Sequence, residues 1–258
     1  GLEILNINLG SCGDTFTIQS THNQTTVLTA NAGDDTIHVL TTSGATTVNG
    51  GLGNDTVNVG SNAPDVNGNV NSINAILTVN GNGGSNTLNV DDTGDTDANT
   101  GNLTGTRLTG LGMGNADQSV INPAGGIDYA GLEILNINLG SCGDTFTIDN
   151  THTQLTNLYA GLDNDTILVD AVSGQTNIFG GSGNDTITIN HLPSFTADGS
   201  YWNPTLGVPP YTLNLDGQTG ADVYVVYITG SGSYLVNVLD TGADDHATIK
   251  DTLTVYGT

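Results

Sequence analysis

Apolar and polar residues alternate over short runs along almost the whole chain. The segments TTVNG at 46–50 and TVNV at 56–59 are typical, and clusters of Gly, Asn and Asp separate such runs. Alternation with a period of two indicates half-buried β-strands, and the Gly-Asn-Asp clusters indicate turns. No segment shows a sustained apolar period of about 3.6 residues, the period of a helix. We therefore expect an all-β fold with almost no helix.

The chain contains a long internal repeat. Residues 1–18, GLEILNINLGSCGDTFTI, recur unchanged at 131–148. This duplication predicts two tandem units, 1–130 and 131–258, that form one continuous stack. The second unit diverges from the first after about residue 190, where Pro and aromatic residues become frequent.

A shorter period lies within each unit. Turns that end in an acidic residue recur with first steps of 21 and 20 residues, as at Asp14, Asp35 and Asp55. This period predicts a parallel β-solenoid, of the β-helix or β-roll type, with about 20–21 residues per coil. About ten coils stacked at the strand spacing of about 4.8 Å would be about 50 Å long. The inward positions would then form aliphatic ladders, at Ile18, Ile37, Val39, Val57, Val59, Ile167, Val169, Ile187 and Ile189.

The charge of the chain is strongly one-sided. Its 24 Asp and two Glu stand against Arg107 and Lys250, for a formal net charge of -24. Such a chain cannot neutralise phosphates, which excludes nucleic acid and anionic membrane surfaces as partners. No run approaches the roughly 18 apolar residues of a transmembrane helix, so we expect no membrane insertion. Because the chain opens with Gly1 rather than Met, we expect a piece excised from a longer protein.

The preference for Asp over Glu changes the interpretation of the turns. Asp favours turns, and its short side chain can bring a carboxylate to a cation that backbone carbonyls also hold. Two turns, GGLGNDTVN at 50–58 and GGSGNDTIT at 180–188, match the pattern G-G-x-G-x-D-x-U-x with U apolar. These motifs resemble the haemolysin-type, or RTX, calcium-binding repeats of secreted bacterial proteins. The resemblance implies Ca²⁺ as the cofactor, held by turn carbonyls and Asp carboxylates.

Carried over by position, the resemblance implies a set of metal ligands. Asp55 and Asp185 lie in the two full motifs, and Asp35 and Asp165 lie in turns that lack some of the glycines. The remaining candidates are the acids of weaker turns and the acids beside the motif position, at Asp14, Asp144, Asp222, Asp34 and Asp163. Asn86 replaces the acid in its turn, so we expect no strong site there.

The chain also departs from the RTX pattern. RTX coils have about 18 residues and two such turns, whereas here one turn recurs every 20 or 21 residues. We therefore expect ions along only one edge of the solenoid. The alternative is that the Gly-Asn-Asp turns are simply tight corners, whose Asn and Asp side chains stack through hydrogen bonds.

The larger pattern is similar to the tandem β-strand-repeat units of very large bacterial surface proteins. The similar phrases are GLEILNINLGSCGDTFTI, TLNVDDTGDTDANTG and DTLTVYGT. This resemblance implies an extracellular or cell-surface location and a structural role. We expect a calcium-stabilised module of a fibre, sheath or adhesin stalk, whose partners are neighbouring copies of itself, joined end to end, with side-by-side contact left open.

The competing function is a glycan-binding or polysaccharide-cleaving β-helix. A hydrolase needs two or three carboxylates with different pKa values at a cleft, but the acids here recur in register, and Arg107 and Lys250 stand apart. We therefore expect no enzyme, including at the cluster in ADDHATIKD, 243–251. The aromatic loop at 191–211 is interpreted as a cover, a lateral contact or a glycan site, through Phe195, Tyr201, Trp202 and Tyr211.

Two smaller features leave alternatives open. DDTGDTD at 91–97 places four Asp in seven residues, and we interpret it as a solvated acidic loop, with a further cation site as the alternative. Cys12 and Cys142 occupy equivalent positions about six coils apart, too far for an internal disulfide. They are either small half-buried thiols or a link between neighbouring chains.

Overall fold

The chain folds into two long β-sheets. The computed structural model describes residues 1–114, 125–190, 212–228, 235–242 and 250–257, and within these ranges it contains strands and turns but no α-helix. Accordingly, the described residues include no helix long and apolar enough to span a membrane. The expectation of an all-β fold is confirmed.

Twelve of the described strands form the larger sheet. In spatial order they are β1 (Ile4–Asn8), β3 (Thr25–Thr29), β5 (Thr46–Leu52), β7 (Ile76–Gly83), β11 (Gly126–Ala130), β10 (Arg107–Gly110), β9 (Thr100–Leu103), β13 (Thr145–Ile148), β15 (Thr166–Val169), β17 (Thr186–Ile189), β19 (Val223–Ile228) and β21 (Thr252–Gly257).

The other nine strands in the described part of the chain form the smaller sheet. In spatial order they are β2 (Thr15–Ile18), β4 (Thr36–Val39), β6 (Thr56–Val59), β8 (Thr87–Asp91), β12 (Ile134–Asn138), β14 (Leu155–Tyr159), β16 (Thr176–Ser182), β18 (Thr212–Thr219) and β20 (Leu235–Leu239).

The chain passes back and forth between the two sheets. From β1 to β8, odd-numbered strands lie in the twelve-stranded sheet and even-numbered strands in the nine-stranded sheet. Each strand from β1 to β6 pairs in parallel with the strand two positions later. One strand of each sheet with its two turns is called a repeat below. Because pairing is in register, Thr36 lies against Thr15 and Thr56 against Thr36. Like residues therefore stack on like residues.

The core lies between the two sheets. The side chains that point inward are aliphatic and form one continuous cluster along the whole stack. Every position that the alternation predicted as inward is at least 96% buried, namely Ile18, Ile37, Val39, Val57, Val59, Ile167, Val169, Ile187 and Ile189. The predicted core is confirmed.

A hairpin interrupts the regular path in the middle of the chain. Strand β10 pairs antiparallel with both β9 and β11, and these are the only antiparallel pairs among the described strands. The hairpin adds two strands to the larger sheet and moves the second unit to the opposite sheets. Thus β1 lies in the twelve-stranded sheet, but β12, its copy in sequence, lies in the nine-stranded sheet. In the same way, β2 and its copy β13 have exchanged sheets.

Both sheets continue across the boundary between the two units. Strand β12 pairs with β8, and β13 pairs with β9, so the second unit adds directly to the first. This contact is called the internal joint below. It buries residues whose copies at the N-terminal end are open: Phe146 is fully buried, whereas Phe16 is only half-buried.

The duplication supplies a matched pair for a stability test. Phe146 packs against β9, where a Cβ on Gly101 would clash with its ring. We expect Phe146→Ala to lower the free energy of unfolding by about 3–5 kcal/mol, because it leaves a cavity in a closed core. Phe16→Ala, in the identical sequence context at an open end, should cost less than half as much. Urea unfolding measures both, and equal costs would contradict the buried joint.

Candidate functional site

The predicted acidic turns form a first ladder of side-chain to backbone hydrogen bonds. The backbone N–H of Asp14 donates to Oδ1 of Asp35 at 2.7 Å, and that of Asp35 donates to Oδ1 of Asp55 at 3.0 Å. The N–H of Asp55 donates to Oδ1 of Asn86, and that of Asn86 to Oε2 of Glu133. Each residue thus binds the backbone of the neighbouring repeat. All of them stand at turns that lead into the nine-stranded sheet.

A second ladder follows the hairpin. Its bonds run from the N–H of each residue to Oδ1 of the next, at 2.7–2.8 Å, through Asn99, Asp144, Asp165, Asp185, Asp222 and Asp251. These residues stand at turns that lead into the twelve-stranded sheet. The expectation of a single acidic edge is therefore wrong, because the hairpin places the second unit on exchanged sheets.

The ladder carboxylates point into the protein. Asp35, Asp55, Asp165 and Asp185 are at least 98% buried. Their Oδ1 atoms accept the ladder bonds, but each Oδ2 is buried without a hydrogen-bond partner. Burying a polar oxygen without a partner costs about 1–3 kcal/mol, and a charged one costs more. These atoms therefore call for a hydrogen-bond donor, a proton or a cation.

The unpartnered carboxylate oxygens of the two full motifs, those of Asp55 and Asp185, have the same surroundings. A Cβ on Gly50 would clash with Oδ2 of Asp55 and would lie 2.9 Å from the carbonyl oxygen of Gly81, in the next repeat. A Cβ on Gly180 would likewise clash with Oδ2 of Asp185 and lie 2.8 Å from the carbonyl oxygen of Gly217. A carboxylate oxygen and a carbonyl oxygen thus border the same small space, which is called the glycine cradle below.

Asn86 shows how the protein fills this space without an acid. Its Oδ1 accepts the ladder bond from Asp55, and its Nδ2 donates to the carbonyl oxygen of Gly131 at 3.2 Å. The amide nitrogen therefore stands where an Asp places its second oxygen. At Asn86 a donor faces the carbonyl, whereas at Asp55 and Asp185 two acceptors border the cradle.

Burial weakens the acidity of several of these carboxyls. Loss of water is the main cause that raises the pKa of Asp165 to about 8 and the pKa values of Asp144 and Asp185 to about 6. The pKa of Asp55 is also raised, chiefly by burial and further by the charges of Asp35 and Asp34. The stacked, buried carboxyl groups of the ladders therefore resist full ionisation.

The remaining predicted ligands lie differently. Asp14 is half-buried and Asp144 is buried, and the Oδ2 atoms of both accept a backbone N–H, from Gly10 and Gly140. Asp34 and Asp163 are exposed, outside the buried ladder. The Oδ1 of Asp34 accepts the N–H of Asn54. That of Asp163 accepts the N–H of Asn164.

The acidic turn at 91–97 is not a solvated loop, so that interpretation is wrong for its central residues. Asp92 and Asp95 are at least 97% buried, and the Oδ2 of each lacks a hydrogen-bond partner. Burial raises the pKa of Asp92 to about 8, and the charges of Asp95 and Asp144 raise it further. The loop that precedes β7 covers this turn, since Val70 donates its N–H to Oδ1 of Asp92.

No acidic cluster is complete by side chains alone. Within the described ranges, no three Asp, Glu, His or Cys side chains gather where they would hold a metal ion. A cation at a ladder would therefore take most of its oxygens from backbone carbonyls. The Cys12 and Cys142 thiols are both free.

The other candidate chemistry is scattered or undescribed. His38 contacts Asn58, and His152 contacts the carbonyl of Leu155, with burial lowering the pKa of its ring. Arg107 pairs with Asp128 at 3.2 Å. The aromatic loop, with Phe195, Tyr201, Trp202 and Tyr211, and most of the 243–251 cluster lie outside the described residues.

An asparagine ladder on the nine-stranded sheet escaped the sequence analysis. Each Nδ2 donates to Oδ1 of the preceding side chain at 2.7–2.8 Å, in the order Asn58, Asn89, Asn136, Asn157, Asn177, Asn214 and Asn237. The signal was present, because Asn recurs between two apolar residues in TVNV, TLNV and LNIN. Asn is disfavoured in strands, so its recurrence at one register position indicates a stack.

The raised pKa values predict an unusual pH dependence. A carboxyl whose pKa is raised on folding binds its proton more tightly in the folded chain, so stability increases as the pH falls through the folded pKa. In EGTA we expect the thermal midpoint to rise by several degrees between about pH 9 and about pH 5. Asp165→Asn should show a smaller rise. Circular dichroism measures both, and a midpoint that falls over this range would contradict the buried carboxylates.

Comparison with known proteins gives no guide to function. The chain matches no family model, and no curated protein and no solved structure matches it. Function has therefore to be inferred from the ladders, the glycine cradles and the surfaces of the two sheets.

Proposed function

We propose that this protein is a structural module: a parallel β-solenoid, stabilised by Ca²⁺, of an extracellular fibre, sheath or adhesin stalk that associates end to end. The observation that carries the proposal is the contrast between Asn86 and its Asp neighbours. At Asn86 an N–H faces the carbonyl of the next repeat; at Asp55 and Asp185 a second carboxylate oxygen borders the cradle instead. A cation would bind both oxygens at once.

The alternation of strands between two sheets supports the solenoid. Outside the hairpin, strands of the two sheets alternate and pair in parallel, so the chain winds in one direction. Successive ladder Asp in the regular repeats are 20 or 21 residues apart. Repeats that contact only their neighbours are typical of elongated structural proteins. The extracellular setting is supported by the resemblance of the motifs to secreted and surface-bound bacterial repeats.

The chemistry of the cradle favours Ca²⁺ over other cations. Ca²⁺ takes six to eight oxygens at about 2.3–2.6 Å, and it accepts carbonyls and carboxylates in flexible arrangements. Mg²⁺ requires a stricter octahedron and keeps its waters. Asp55 and Asp185 would hold the ion with the facing carbonyls, and Asp35 and Asp165 would hold others. The bound ion would neutralise stacked carboxylates and so lock repeat to repeat.

The expected energies are modest for one site and large for a ladder. Extracellular calcium modules have Kd values of about 0.1–1 mM. At millimolar Ca²⁺ each such site would add about 0.5–1.5 kcal/mol. Several sites in series would be comparable with the net stability of a domain, about 5–15 kcal/mol.

Thermal unfolding in EGTA and across a Ca²⁺ titration tests this mechanism, with Mg²⁺ as the control ion. We expect the midpoint to rise steeply with Ca²⁺ and little with Mg²⁺. The rise should be largest near pH 8 and small near pH 5, where protons already neutralise the buried carboxyls. A fold that is equally stable in EGTA and in Ca²⁺ would contradict the calcium mechanism, and the Asp turns would then be tight corners without bound ions.

Substitution by Asn separates the ladder from general charge effects. In Asp55→Asn and Asp185→Asn, an amide N–H should face the Gly81 or Gly217 carbonyl, as Asn86 faces Gly131. We expect a higher midpoint in EGTA and a weaker response to Ca²⁺. The matched control is Asp65→Asn, which removes one charge from an exposed loop. An equal response in all three variants would show that only net charge matters.

A groove on the nine-stranded sheet favours glycan binding as the second candidate. The loop at 61–66 overhangs the asparagine ladder and encloses about 350 Å³. Asn89 and Asn136 form its floor, and Tyr159, stacked on Phe179 at 4.8 Å, borders one end. Amides and an aromatic edge suit a sugar. Incubation with polysaccharides, with Tyr159→Ala as the control, should reveal binding or cleavage products if this candidate holds.

A further inference from the structure

We infer that two copies of this chain join in one defined register, with β1 and β2 of one copy added to β20 and β21 of the other, as β12 and β13 are added to β8 and β9 within the chain. The inference rests on the end-to-end association in the proposed function. It specifies the surface, the partner and the orientation of that association.

The internal joint is the template for this contact. Its second face consists of β12 and β13, in the segment 131–148, and that segment is identical to 1–18, which forms β1 and β2. One sequence therefore occurs in two settings, once docked on both sheets and once as the first described strand of each sheet. The surface that docks inside the chain is thus presented again at its N-terminal end.

The free copy exposes what the docked copy buries. Leu2 is 58% exposed and Leu132 only 5%. Leu5 and Ile7 are half-buried, whereas their copies Leu135 and Ile137 are fully buried. Docking inside the chain is therefore what closes this apolar surface, and the same closure is open to the free copy.

The opposite end presents the matching face. Residues 235–242, LVNVLDTG, correspond to 87–94, TLNVDDTG, so β20 corresponds to β8. Strand β21 follows β20 as β9 follows β8, and Asp251-Thr252 stands at the ladder position of Asn99-Thr100. Strands β20 and β21 are the last strands of their sheets, as β8 and β9 would be without the second unit.

This end also exposes apolar side chains at inward positions. Leu253 and Val255 stack on the buried Tyr224 and Val226 of β19, yet they are 53% and 51% exposed. Val236 and Val238 of β20 are half-buried in the same way. An edge of unpaired backbone groups beside apolar side chains favours the addition of further strands.

The register follows from the internal joint. Ile134 lies against Thr87 and Asn136 against Asn89, which places Ile4 against Leu235 and Asn6 against Asn237. Thr145 lies against Thr100, which places Thr15 against Thr252. Leu253 takes the place of Gly101, so the Phe16 ring must shift from the position of Phe146.

Both polar ladders would continue through the contact. Asn136 donates to Asn89 inside the chain, and Asn6 would donate to Asn237 in the same way. The N–H of Asn99 donates to Oδ1 of Asp144, and the N–H of Asp251 would donate to Oδ1 of Asp14. Asp251 is the last residue of the second ladder and Asp14 the first of the first ladder.

The orientation of the incoming copy is also fixed. Strand β1 belongs to the twelve-stranded sheet of its own copy but would extend the nine-stranded sheet of its neighbour. The incoming copy is therefore turned by half a revolution about the stack, as the second unit is relative to the first. This rotation keeps the paired strands parallel. Since each copy carries a net charge of -24, we expect the contact to strengthen with ionic strength.

Disulfide trapping tests the register. In a Cys12→Ser, Cys142→Ser background, Asn6→Cys with Asn237→Cys places two thiols opposite each other on neighbouring strands, within the Cα separation of about 7 Å that a disulfide allows. The control is Asn8→Cys with Asn237→Cys, which uses the same strands and face but is offset by two residues. Oxidised glutathione supplies the oxidant, and non-reducing electrophoresis separates monomers from linked chains.

The expected result is a series of linked dimers and higher oligomers in the in-register variant, at least about five times more abundant than in the offset control. The three substituted positions, Asn6, Asn8 and Asn237, lie on outward faces, so folding should be preserved, and the circular dichroism spectrum checks this. Equal linkage in both variants, or none in either at millimolar Ca²⁺ and 0.5 M NaCl, would overturn the joint.

The outcome for the joint can be separated from the outcome for calcium. If the in-register disulfide forms in EGTA and the thermal midpoint does not change with Ca²⁺, the joint is supported and the calcium mechanism is excluded. A Ca²⁺-dependent midpoint without in-register linkage would keep the calcium mechanism and overturn the joint.

Discussion

Parallel stacking in register is the constraint on which the whole structure depends. Each strand lies directly on the strand of the neighbouring repeat, so a residue type at one position meets the same type about 4.8 Å away. For Ile37, Val57 and Leu88 this repetition builds a dry core. For asparagine it builds a chain of amide hydrogen bonds. For aspartate it places like charges above one another, and this arrangement carries an energetic cost.

The cost of the aspartate ladders suggests what they are for. Asn86 shows that an amide satisfies both the ladder bond and the facing carbonyl without any ion. A ladder built of residues placed like Asn86 would therefore need neither a proton nor a cation. Retaining buried acids at Asp35, Asp55, Asp165 and Asp185 makes the stability of the stack depend on protons or cations in its surroundings. Such conditional stability would suit the structural role proposed above.

Local features of the fold could be predicted from the sequence. The strands, the inward positions from Ile18 to Ile189 and the spacing of the ladder residues all follow from alternation and from a short period. These features depend only on neighbouring residues and on stacking. Local pattern therefore sufficed to predict them.

Features that depend on distant contacts could not be predicted. The segment TGNLTGTRLTG alternates like any other, and nothing in it shows that β10 runs backwards and shifts the second unit by half a repeat. The burial of Asp92 depends on the loop that contains Val70, more than 20 residues earlier in the chain. The asparagine ladder needed knowledge of which strands share a sheet, because Asn58 and Asn136 come from different strands of their respective units.

The hairpin has a consequence for any assembly made of such units. Because it exchanges the sheets between one unit and the next, a row of units would present the face of the first sheet and the face of the second in strict alternation. Viewed from opposite sides, such a filament would look the same, displaced by one unit along its length. Its two ends would differ, but its two sides would be equivalent. Any ligand bound by one face of a unit would therefore be arrayed on both sides of the fibre.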